Sequence, residues 1–288
     1  MSAIDGEYLE AFIKMAVMED LGDGDHTSLS TIPLTQLGSA QLIIKEEGIL
    51  AGVEISKAIF RHIDPELKVN IYIEDGKSVN IDDIALEVSG KVHSILVAER
   101  LVLNIMQRMS GIATMTRKVV TSLATTNTKV LDTRKTTPGL RLLEKEAVRI
   151  GGGVNHRFGL FDMILIKDNH IDYAGGIINA LNKAFKYRED NQKVIDIEIE
   201  VRNLEELREV LSSSKVDRVL LDNFDYETLR EAVKLVDGQI ITEASGGITF
   251  ENAYEFAACG VDYISMGALT HSVKSLDMSL KATNSSFN

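Results

Sequence analysis

The sequence predicts an α/β protein whose second half forms a parallel, barrel-like sheet. From residue 129 onward, apolar strands alternate with amphipathic helices, which is typical of parallel strands joined by helical crossovers. The last four predicted strands end near residues 200, 222, 243 and 266, and the separations of 22, 21 and 23 residues indicate a regular β/α unit. Only six strands are plain, so an incomplete or smaller barrel fits better than an eight-fold one. A doubly wound open sheet is the alternative, but no G-x-G-x-x-G motif follows the first strand.

Residues 1 to about 110 have a different pattern and predict a mixed α+β segment. Apolar residues at helical spacing predict helices over 8–18 and 54–62. A strong helix follows over 98–109, and its pattern continues after Ser110-Gly111 through 114–124. Short apolar runs predict strands at 40–44, 48–53, 69–73 and 84–88.

The alternating region that follows supplies the predicted barrel. Each apolar run of strand length is followed by a longer segment with helical spacing. The predicted strands are 129–132, 163–166, 195–201, 218–221, 239–242 and 263–266. The predicted helices are 140–150, 176–187, 204–211, 226–236 and 250–258.

The composition limits the kind of ligand and the compartment. The 288 residues carry a formal net charge of −12, with a pI of about 5.0. Because an acidic surface repels nucleic acid and anionic lipid, a broad polyanion-binding role is disfavoured. Cys259 is the only cysteine, which fits a reducing compartment, and the chain shows neither a signal peptide nor an apolar run of membrane length. We therefore expect a cytoplasmic protein.

Within this acidic chain, residues 132–170 gather cationic side chains beside glycines. Residues 133–136 are Thr-Arg-Lys-Thr, 151–153 are three glycines and 155–157 are Asn-His-Arg, and the predicted strand 163–166 is followed by Lys167. Cations that meet at the ends of strands can hold a substrate with several negative charges. The three glycines could equally be a helix stop.

Two carboxylates follow predicted strands at the same edge of the sheet. Glu200 lies near the end of strand 195–201, in which acidic and apolar residues alternate strictly, and Asp222 follows strand 218–221. Together they could hold Mg²⁺ through oxygen ligands and water, beside a phosphate substrate. A solvated edge strand is the alternative explanation of the alternation, and the pattern leaves open whether Glu198 or Glu200 faces inward.

Two glycine-containing loops follow the last two predicted strands. Residues 244–248 are Ala-Ser-Gly-Gly-Ile, and residues 265–268 are Ser-Met-Gly-Ala. Glycine lets backbone N–H groups approach a phosphate, and the N-terminus of a following helix adds positive potential. Two tight turns would need the same glycines. The position of both loops after neighbouring strands nevertheless favours a phosphate site. His271 could also reach a phosphate bound there.

Taken in order, these motifs resemble the quinolinate phosphoribosyltransferase family, also called nicotinate-nucleotide pyrophosphorylase (carboxylating). The resemblance runs nearly end to end, from Glu-Asp-Leu-Gly at 19–22 and Gly-Asp-His-Thr at 24–27 to the second glycine loop. The motifs of the second half are Asp132-Thr133-Arg134-Lys135-Thr136, Asn155-His156-Arg157, Lys167-Asp168-Asn169-His170, Glu198-Ile199-Glu200-Val201, Leu221-Asp222-Asn223, Glu243-Ala244-Ser245-Gly246-Gly247-Ile248 and Ser265-Met266-Gly267.

The resemblance implies an N-terminal open α/β sandwich and an incomplete, seven-stranded α/β barrel. It places the sandwich in residues 1–112, joined by the tail 273–288, and the barrel with the active site in residues 113–272. It also implies a homodimer or higher homo-oligomer with shared active sites, in which the sandwich of one subunit covers the barrel mouth of its neighbour. Nucleic acid and membranes are not expected partners.

The implied activity is that of a pentosyltransferase in NAD biosynthesis. Quinolinate and phosphoribosyl pyrophosphate would give nicotinate mononucleotide, pyrophosphate and CO₂, with Mg²⁺ as cofactor. The implied catalytic residues are Glu200, Asp222, Lys135 and Lys167, and the implied metal ligands are Glu200 and Asp222. Substrate binding falls to Arg100 (from the neighbouring subunit), Thr133, Arg134, Lys135, His156, Arg157 and Lys167. Phosphate binding falls to Ser245, Gly246, Gly247, Met266, Gly267, Ala268 and His271.

Three other functions compete with this one. A related transferase of the same fold could act on another pyridine carboxylate such as nicotinate, although several converging cations favour a dianionic acid. A Schiff-base aldolase could use Lys167, but it needs an apolar environment that lowers the lysine pKa, and Arg134, Arg157 and Asp168 are strongly polar neighbours. A non-enzymatic anion-binding protein would have no need of acidic residues among the cations.

Overall fold

The computed structural model describes residues 6–283, so the ends of the predicted domains, 1–5 and 284–288, lie outside the described residues. The chain divides into two compact units. The first comprises Met1–Arg117, Thr137–Gly152 and Val273–Asn288, and the second comprises Lys118–Thr136 and Gly153–Ser272. The predicted boundary between residues 112 and 113 stays a prediction, and residues 137–152 group with the first unit rather than with the predicted barrel.

The described elements begin with helices and short antiparallel strands, and a long β/α series follows. Up to residue 122 they are α1 (Gly6–Leu21), α2 (His26–Thr31), β1 (Leu37–Ile44), β2 (Gly48–Ile49), α3 (Val53–Ile63), β3 (Lys68–Ile71), β4 (Ser78–Val79), β5 (Ile84–Lys91) and α4 (Val92–Ser122). After it come β6 (Lys129–Leu131), α5 (Arg141–Gly151), β7 (Ile164–Ile166), α6 (Asp168–Ala174), α7 (Ile177–Asp190), β8 (Ile197–Val201), α8 (Leu204–Leu211), β9 (Arg218–Asp222), α9 (Tyr226–Val236), β10 (Ile241–Ser245), α10 (Ala253–Ala257), β11 (Tyr263–Ser265), α11 (Ala268–His271) and β12 (Met278–Ala282).

The first unit is built on a four-stranded antiparallel sheet with the order β12-β1-β5-β3. In β1, Ala40, Leu42 and Ile44 are buried and their neighbours are more exposed, as expected when one face of an antiparallel sheet covers a core. The strand β12 pairs with β1 in the register Ala40↔Ala282, so segments from the first and last parts of the described chain share one sheet.

Helix α4 runs without a break through Ser110-Gly111, so the predicted continuation of the helical pattern beyond these two residues is confirmed. Ser110 is fully buried, and its hydroxyl accepts a hydrogen bond from Ala51 N–H and donates one to Ala51 O. A Cβ added at Gly111 would lie 2.2 Å from Lys274 O, so glycine is needed for the close approach of the chain there. Both residues therefore join the helix to neighbouring segments of the first unit rather than ending it.

We expect Gly111→Ala to lower the free energy of unfolding by about 1–3 kcal/mol, the usual effect of overpacking a filled site. The neighbour at Gly111 is main chain, which cannot turn aside as a flexible side chain can. Urea denaturation followed by circular dichroism measures the change. Gly6→Ala is the control, because that helical glycine has nothing within 4 Å of an added Cβ. An unchanged midpoint in the Gly111 variant would contradict the prediction.

The second unit contains a parallel sheet of six strands in the order β6-β11-β10-β9-β8-β7. Beyond β6, Val154 forms an isolated parallel bridge with Leu131 and marks a seventh position in the sheet. Within residues 6–283 no ladder joins β7 to the segment at Val154, so the sheet is an incomplete barrel. The predicted α/β class and parallel arrangement are confirmed, and the seventh strand is reduced to one bridging residue.

The remaining differences from the prediction concern the bounds of single elements and three short helices. The strand expected over 48–53 stops after Ile49, because Gly52 takes a φ of +95° and α3 begins at Val53. Strand β10 extends to Ser245, and α10 begins only at Ala253, so the glycines at 246 and 247 do not lead directly into a helix. Helices α2, α6 and α11 were not predicted, since they have only 6, 7 and 4 residues. In the part of the chain that is described, no helix has both the length and the apolar character to cross a membrane.

Candidate active site

A cavity of about 220 Å³ opens at the carboxyl ends of the parallel strands in the second unit. This edge is where parallel α/β barrels collect their functional residues. Another cavity, of about 420 Å³, lies in the first unit, but among the described residues that line it Glu99 is the only charged one. We therefore assign the chemistry to the smaller cavity, whose lining residues are Thr133, Arg134, Lys135, His156, Arg157, Leu165, Lys167, Glu200, Leu220, Asp222, Glu243, Ser245 and Ser265.

The predicted cations meet in this cavity although they come from three separate segments. Arg134 and Lys135 follow β6, Arg157 follows the bridge at Val154, and Lys167 follows β7. Burial lowers the pKa of Arg157, and the nearby positive charge of Arg134 lowers it further. Two guanidinium groups that repel each other in a partly buried cavity are a site for an anionic ligand.

Asp132 fixes the loop that carries Arg157 and the adjacent His156. Its side chain is fully buried; one carboxylate oxygen accepts the His156 N–H at 2.9 Å, and the other accepts Asn155 Nδ2–H at 2.6 Å. Arg157 is held from the other side, since its Nη1 donates to Met163 O at 3.2 Å. The segment 155–157 is thereby attached both to the end of β6 and to the residue before β7.

A cluster of buried ionisable groups forms the floor of the cavity. His156 Nε2 lies 3.0 Å from Glu198 Oε2 and 3.4 Å from Glu243 Oε2, and Arg218 Nη1 donates to Glu243 Oε2 at 3.1 Å. Neither glutamate has any exposed surface. The cluster therefore combines two carboxylates, a guanidinium and an imidazole beneath the cations that line the cavity.

The ionisation of these groups follows from their mutual contacts. Burial alone would lower the pKa of His156, but the bonds to Glu198 and Glu243 raise it to about 9. Burial and Glu243 raise the pKa of Glu198; for Glu243 the effect of burial is outweighed by His156, and the pKa falls. His156 Nδ1 accepts the Arg157 N–H at 2.7 Å, so protonation of Nδ1 competes with this hydrogen bond.

Glu200 and Asp222 form the acidic side of the cavity. Burial raises the pKa of Glu200, and the charge of Asp222 raises it further, while Lys167 acts in the opposite direction. Lys167 Nζ lies 3.9 Å from Glu200 Oε2, and its side chain is half exposed. Two neighbouring carboxylates that share one half-exposed ammonium group are a suitable place for a further cation.

The strand alternation at 195–201 is explained by the same geometry. Glu198 and Glu200 point to the same face of β8, but at different depths: Glu198 is buried in the floor, and Glu200 lines the open cavity. Both therefore face inward, which the pattern of the sequence left open.

The two glycine loops are arranged around neighbouring side chains of the same unit. Gly246 has a φ of +105°, and a Cβ there would lie 2.3 Å from Asn223 Oδ1. A Cβ at Gly267 would lie 3.0 Å from both Lys135 Cδ and His271 Nε2, so these cationic or ionisable groups flank the second loop. Thr270 Oγ1 donates to Lys135 O at 2.9 Å and holds the loop after β6 against α11.

Not every predicted site residue lines the cavity. Ser245 does, whereas Arg100 is an exposed residue of α4 in the first unit. Gly246, Gly247, Met266, Gly267, Ala268 and His271 follow β10 and β11 but are not lining residues.

Three polar residues of the site were assigned no role from the sequence, although Asp132 and Asn223 belong to the motifs given above. Asp132, Arg218 and Asn223 gave no isolated signal, because each acts through a contact with a residue distant in the chain or through an unusual backbone conformation. Arg218 lies opposite Glu198 in the parallel ladder of β8 and β9. The alternation of side chains along these two strands could therefore have identified it.

Known proteins match this chain over nearly its whole length. The family models for the N-terminal and C-terminal domains of quinolinate phosphoribosyl transferase match residues 25–110 and 112–281. A "nicotinate-nucleotide pyrophosphorylase [carboxylating], chloroplastic" of Arabidopsis thaliana is 48% identical over 288 residues, covering 95% of this chain and 82% of the relative. A "probable nicotinate-nucleotide pyrophosphorylase [carboxylating]" of Bacillus subtilis is 46% identical over 275 residues, covering 96% and 93%.

The fold matches as well. The crystal structure of NadC from Streptococcus pyogenes has a TM-score of 0.92 with this chain at 38% sequence identity, covering 98% of this chain and 99% of the other. Sequence and fold agree over both units, and the chain belongs to the quinolinate phosphoribosyl transferase family.

Proposed function

We propose that this chain converts quinolinate and phosphoribosyl pyrophosphate to nicotinate mononucleotide, pyrophosphate and CO₂. The observation that carries the proposal is the meeting of Arg134, Lys135, Arg157 and Lys167 in one cavity with Glu200 and Asp222. The cations suit a dianionic pyridine acid and a pyrophosphate, and the acids suit the positive charge that develops on the sugar. The family to which the chain belongs supports the same reaction.

Quinolinate binding is assigned to the two arginines. A planar guanidinium can donate two parallel hydrogen bonds to one carboxylate, and quinolinate offers two carboxylates beside the ring nitrogen. Arg134 and Arg157 repel each other in the free cavity, so a dianion between them removes that repulsion as well as forming hydrogen bonds. His156 lines the same cavity and contributes to the positive potential when its ring is protonated.

Glu200 and Asp222 fit a divalent cation better than the floor does. Mg²⁺ prefers oxygen ligands and keeps several waters, which an open carboxylate pair allows. His156, Glu198 and Glu243 also lie close enough together to bind a metal, but Arg218 already occupies the space beside Glu243, and one of the three donors is nitrogen. When bound between Glu200 and Asp222, Mg²⁺ would neutralise charge on the leaving pyrophosphate.

The chain itself contributes positioning and charge. Arg134 and Arg157 hold the pyridine ring so that its nitrogen attacks the anomeric carbon, and pyrophosphate leaves with the electrons of the broken bond. Lys135 and Lys167 balance the charge of pyrophosphate, while Glu200 and Asp222 stabilise the cationic sugar. The bond to the adjacent carboxylate then breaks, its electrons stay on the ring carbon beside the pyridinium nitrogen, and CO₂ leaves before that carbon takes a proton.

The 5′-phosphate of the sugar is assigned to the two glycine loops. The residues proposed to form this site are Ser245, Gly246, Gly247, Met266, Gly267, Ala268 and His271. Ser245 lines the cavity, and Gly267 lies between Lys135 and His271, so the backbone and two neighbouring side chains can approach a phosphate from one side.

The direct test is an assay of the purified chain with Mg²⁺, phosphoribosyl pyrophosphate and quinolinate labelled in the C2 carboxylate. We expect release of labelled CO₂ together with the mononucleotide, and loss of both on chelation with EDTA. Nicotinate in place of quinolinate distinguishes the related transferase, because it lacks the second carboxylate. Equal use of nicotinate would reject the proposed substrate, and no product from either acid would reject the activity.

We also propose that the active enzyme is a homodimer or higher homo-oligomer in which Arg100 of one subunit completes the site of the next. Arg100 is an exposed residue of α4 in the first unit, and a residue donated to a neighbouring subunit must be exposed. A cytoplasmic location stays a prediction; the plant relatives are described as chloroplastic or mitochondrial.

Mixing two inactive variants tests the shared site. Arg100→Ala and Lys167→Ala homo-oligomers should each lose most activity, and mixed dimers should regain about a quarter to a half of it, because one of the two sites then has both wild-type residues. Differently tagged subunits, unfolded and refolded together and purified through both tags, provide the mixed dimer. Mixtures of two separately tagged Lys167→Ala preparations are the control. Mixed dimers as inactive as their parents would contradict the sharing of sites.

A further inference from the structure

Asn223 has a left-handed backbone that ordinary side chains avoid. It follows the last residue of β9 directly, with a φ of +56°. Asparagine tolerates this conformation better than most residues, but a non-glycine residue there is uncommon, and such residues concentrate at functional sites. Asn223 is exposed and does not line the cavity, whereas Asp222 beside it does.

The side chain of Asn223 is attached to the catalytic carboxylate. Its Nδ2 donates a hydrogen bond to Asp222 Oδ2 at 2.6 Å, so the side chain of Asn223 holds one oxygen of the Asp222 carboxylate. A hydrogen bond to a charged acceptor is stronger than a neutral one and restricts rotation of the carboxylate. The bond therefore fixes the orientation of the Asp222 carboxylate that lines the cavity.

The main chain of Asn223 is attached to the first glycine loop. Its N–H donates to Ser245 O at 2.9 Å, which continues the β9–β10 ladder by one residue beyond the Ser245↔Asp222 pair. The loop lies close against the residue, since an added Cβ at Gly246 would be 2.7 Å from Asn223 Cγ and 2.9 Å from its backbone nitrogen. One residue therefore contacts both the carboxylate and the proposed phosphate loop.

We propose that Asn223 is a positioning residue for the sugar-phosphate substrate: it orients Asp222 and sets its distance from the Ser245–Gly246 loop. The reacting sugar must present its anomeric carbon to one of these groups and its phosphate to the other. A single side chain that fixes their separation fixes where the anomeric carbon lies relative to the attacking ring nitrogen. The inference rests on the proposed function for the identity of the substrate.

Asn223→Gly distinguishes the role of the Asn223 backbone from that of its side chain. Glycine adopts the left-handed conformation without strain, so the N–H bond to Ser245 O is kept and the fold should be at least as stable. The hydrogen bond to Asp222 is lost, together with the contact of the side chain with the loop at Gly246. We expect kcat/KM for phosphoribosyl pyrophosphate to fall about 10- to 100-fold, as for the loss of one hydrogen bond to a charged group, while KM for quinolinate changes less than about twofold.

Asn223→Asp is the second variant. It keeps the size of the side chain and its tolerance of a left-handed backbone, but replaces the donor with a carboxylate 2.6 Å from Asp222. Its loss of kcat/KM should equal or exceed that of the glycine variant. Asp237→Gly is the matched control, because Asp237 is also left-handed (φ +46°) but lies exposed at the end of α9, outside the cavity.

Equilibrium binding gives a readout that does not depend on turnover. Calorimetric titration should show weaker binding of phosphoribosyl pyrophosphate to both Asn223 variants and unchanged binding of quinolinate. A merely structural role would weaken both ligands or neither, and either result would overturn the inference, as would kinetics equal to wild type in both variants. An inactive wild-type chain would instead reject the proposed function, so the two failures are distinguishable.

Discussion

Glu200→Gln and Asp222→Asn should each lower kcat by about 10²–10³-fold, the effect typical of removing one group that stabilises the charge of a transition state. Each change keeps the shape of the side chain and removes one negative charge beside the sugar. Burial raises the pKa of Glu200, and the neighbouring charge of Asp222 raises it further. Loss of either charge therefore weakens both the stabilisation of the cationic sugar and the affinity for Mg²⁺.

Steady-state kinetics with Mg²⁺ varied from micromolar to millimolar concentration measures both effects. We expect a lower kcat and a higher Mg²⁺ requirement, with KM for quinolinate nearly unchanged because the arginines remain. Glu205→Gln is the control, since Glu205 is an exposed residue in the first turn of α8. A kcat within threefold of wild type for either site variant would remove that residue from the proposed chemistry.

The convergence of the cations could be predicted from the sequence, because parallel strands all end at one edge of the sheet. Arg134, Arg157 and Lys167 were identified from three separate segments, and they line one cavity. The prediction required only strand order and the position of each residue relative to its strand end. It did not require knowledge of any side-chain contact.

The contacts that support these residues could not be predicted in the same way. Asp132 accepts hydrogen bonds from residues 23 and 24 positions later, and Arg218 reaches Glu243, 25 positions later. No periodicity encodes such partners, since they depend on which strands become neighbours and on the direction of each side chain. The need for glycine at position 111 of α4 has the same origin, because it is imposed by a segment more than 160 residues away in the sequence.

Arg134→Ala should raise KM for quinolinate by about 10²-fold and also lower kcat. The change removes a guanidinium that can bond one substrate carboxylate twice, and charge-assisted hydrogen bonds of this kind contribute about 1.5–3 kcal/mol each. The loss is smaller than the sum of two such bonds, because Arg134 also repels Arg157 in the free enzyme and its removal relieves that repulsion. The fall in kcat follows from poorer alignment of the ring nitrogen with the anomeric carbon.

Arg134→Lys distinguishes the contribution of the positive charge of Arg134 from that of its two parallel hydrogen bonds. Lysine keeps the positive charge but cannot form two parallel bonds to a carboxylate, so it should recover part of the KM and little of kcat. Arg230→Ala, on the exposed surface of α9, is the control for the loss of an arginine as such. Initial rates with phosphoribosyl pyrophosphate saturating measure all three variants. Full recovery by lysine would mean that Arg134 supplies only positive potential, and unchanged kinetics in the alanine variant would exclude it from the quinolinate site.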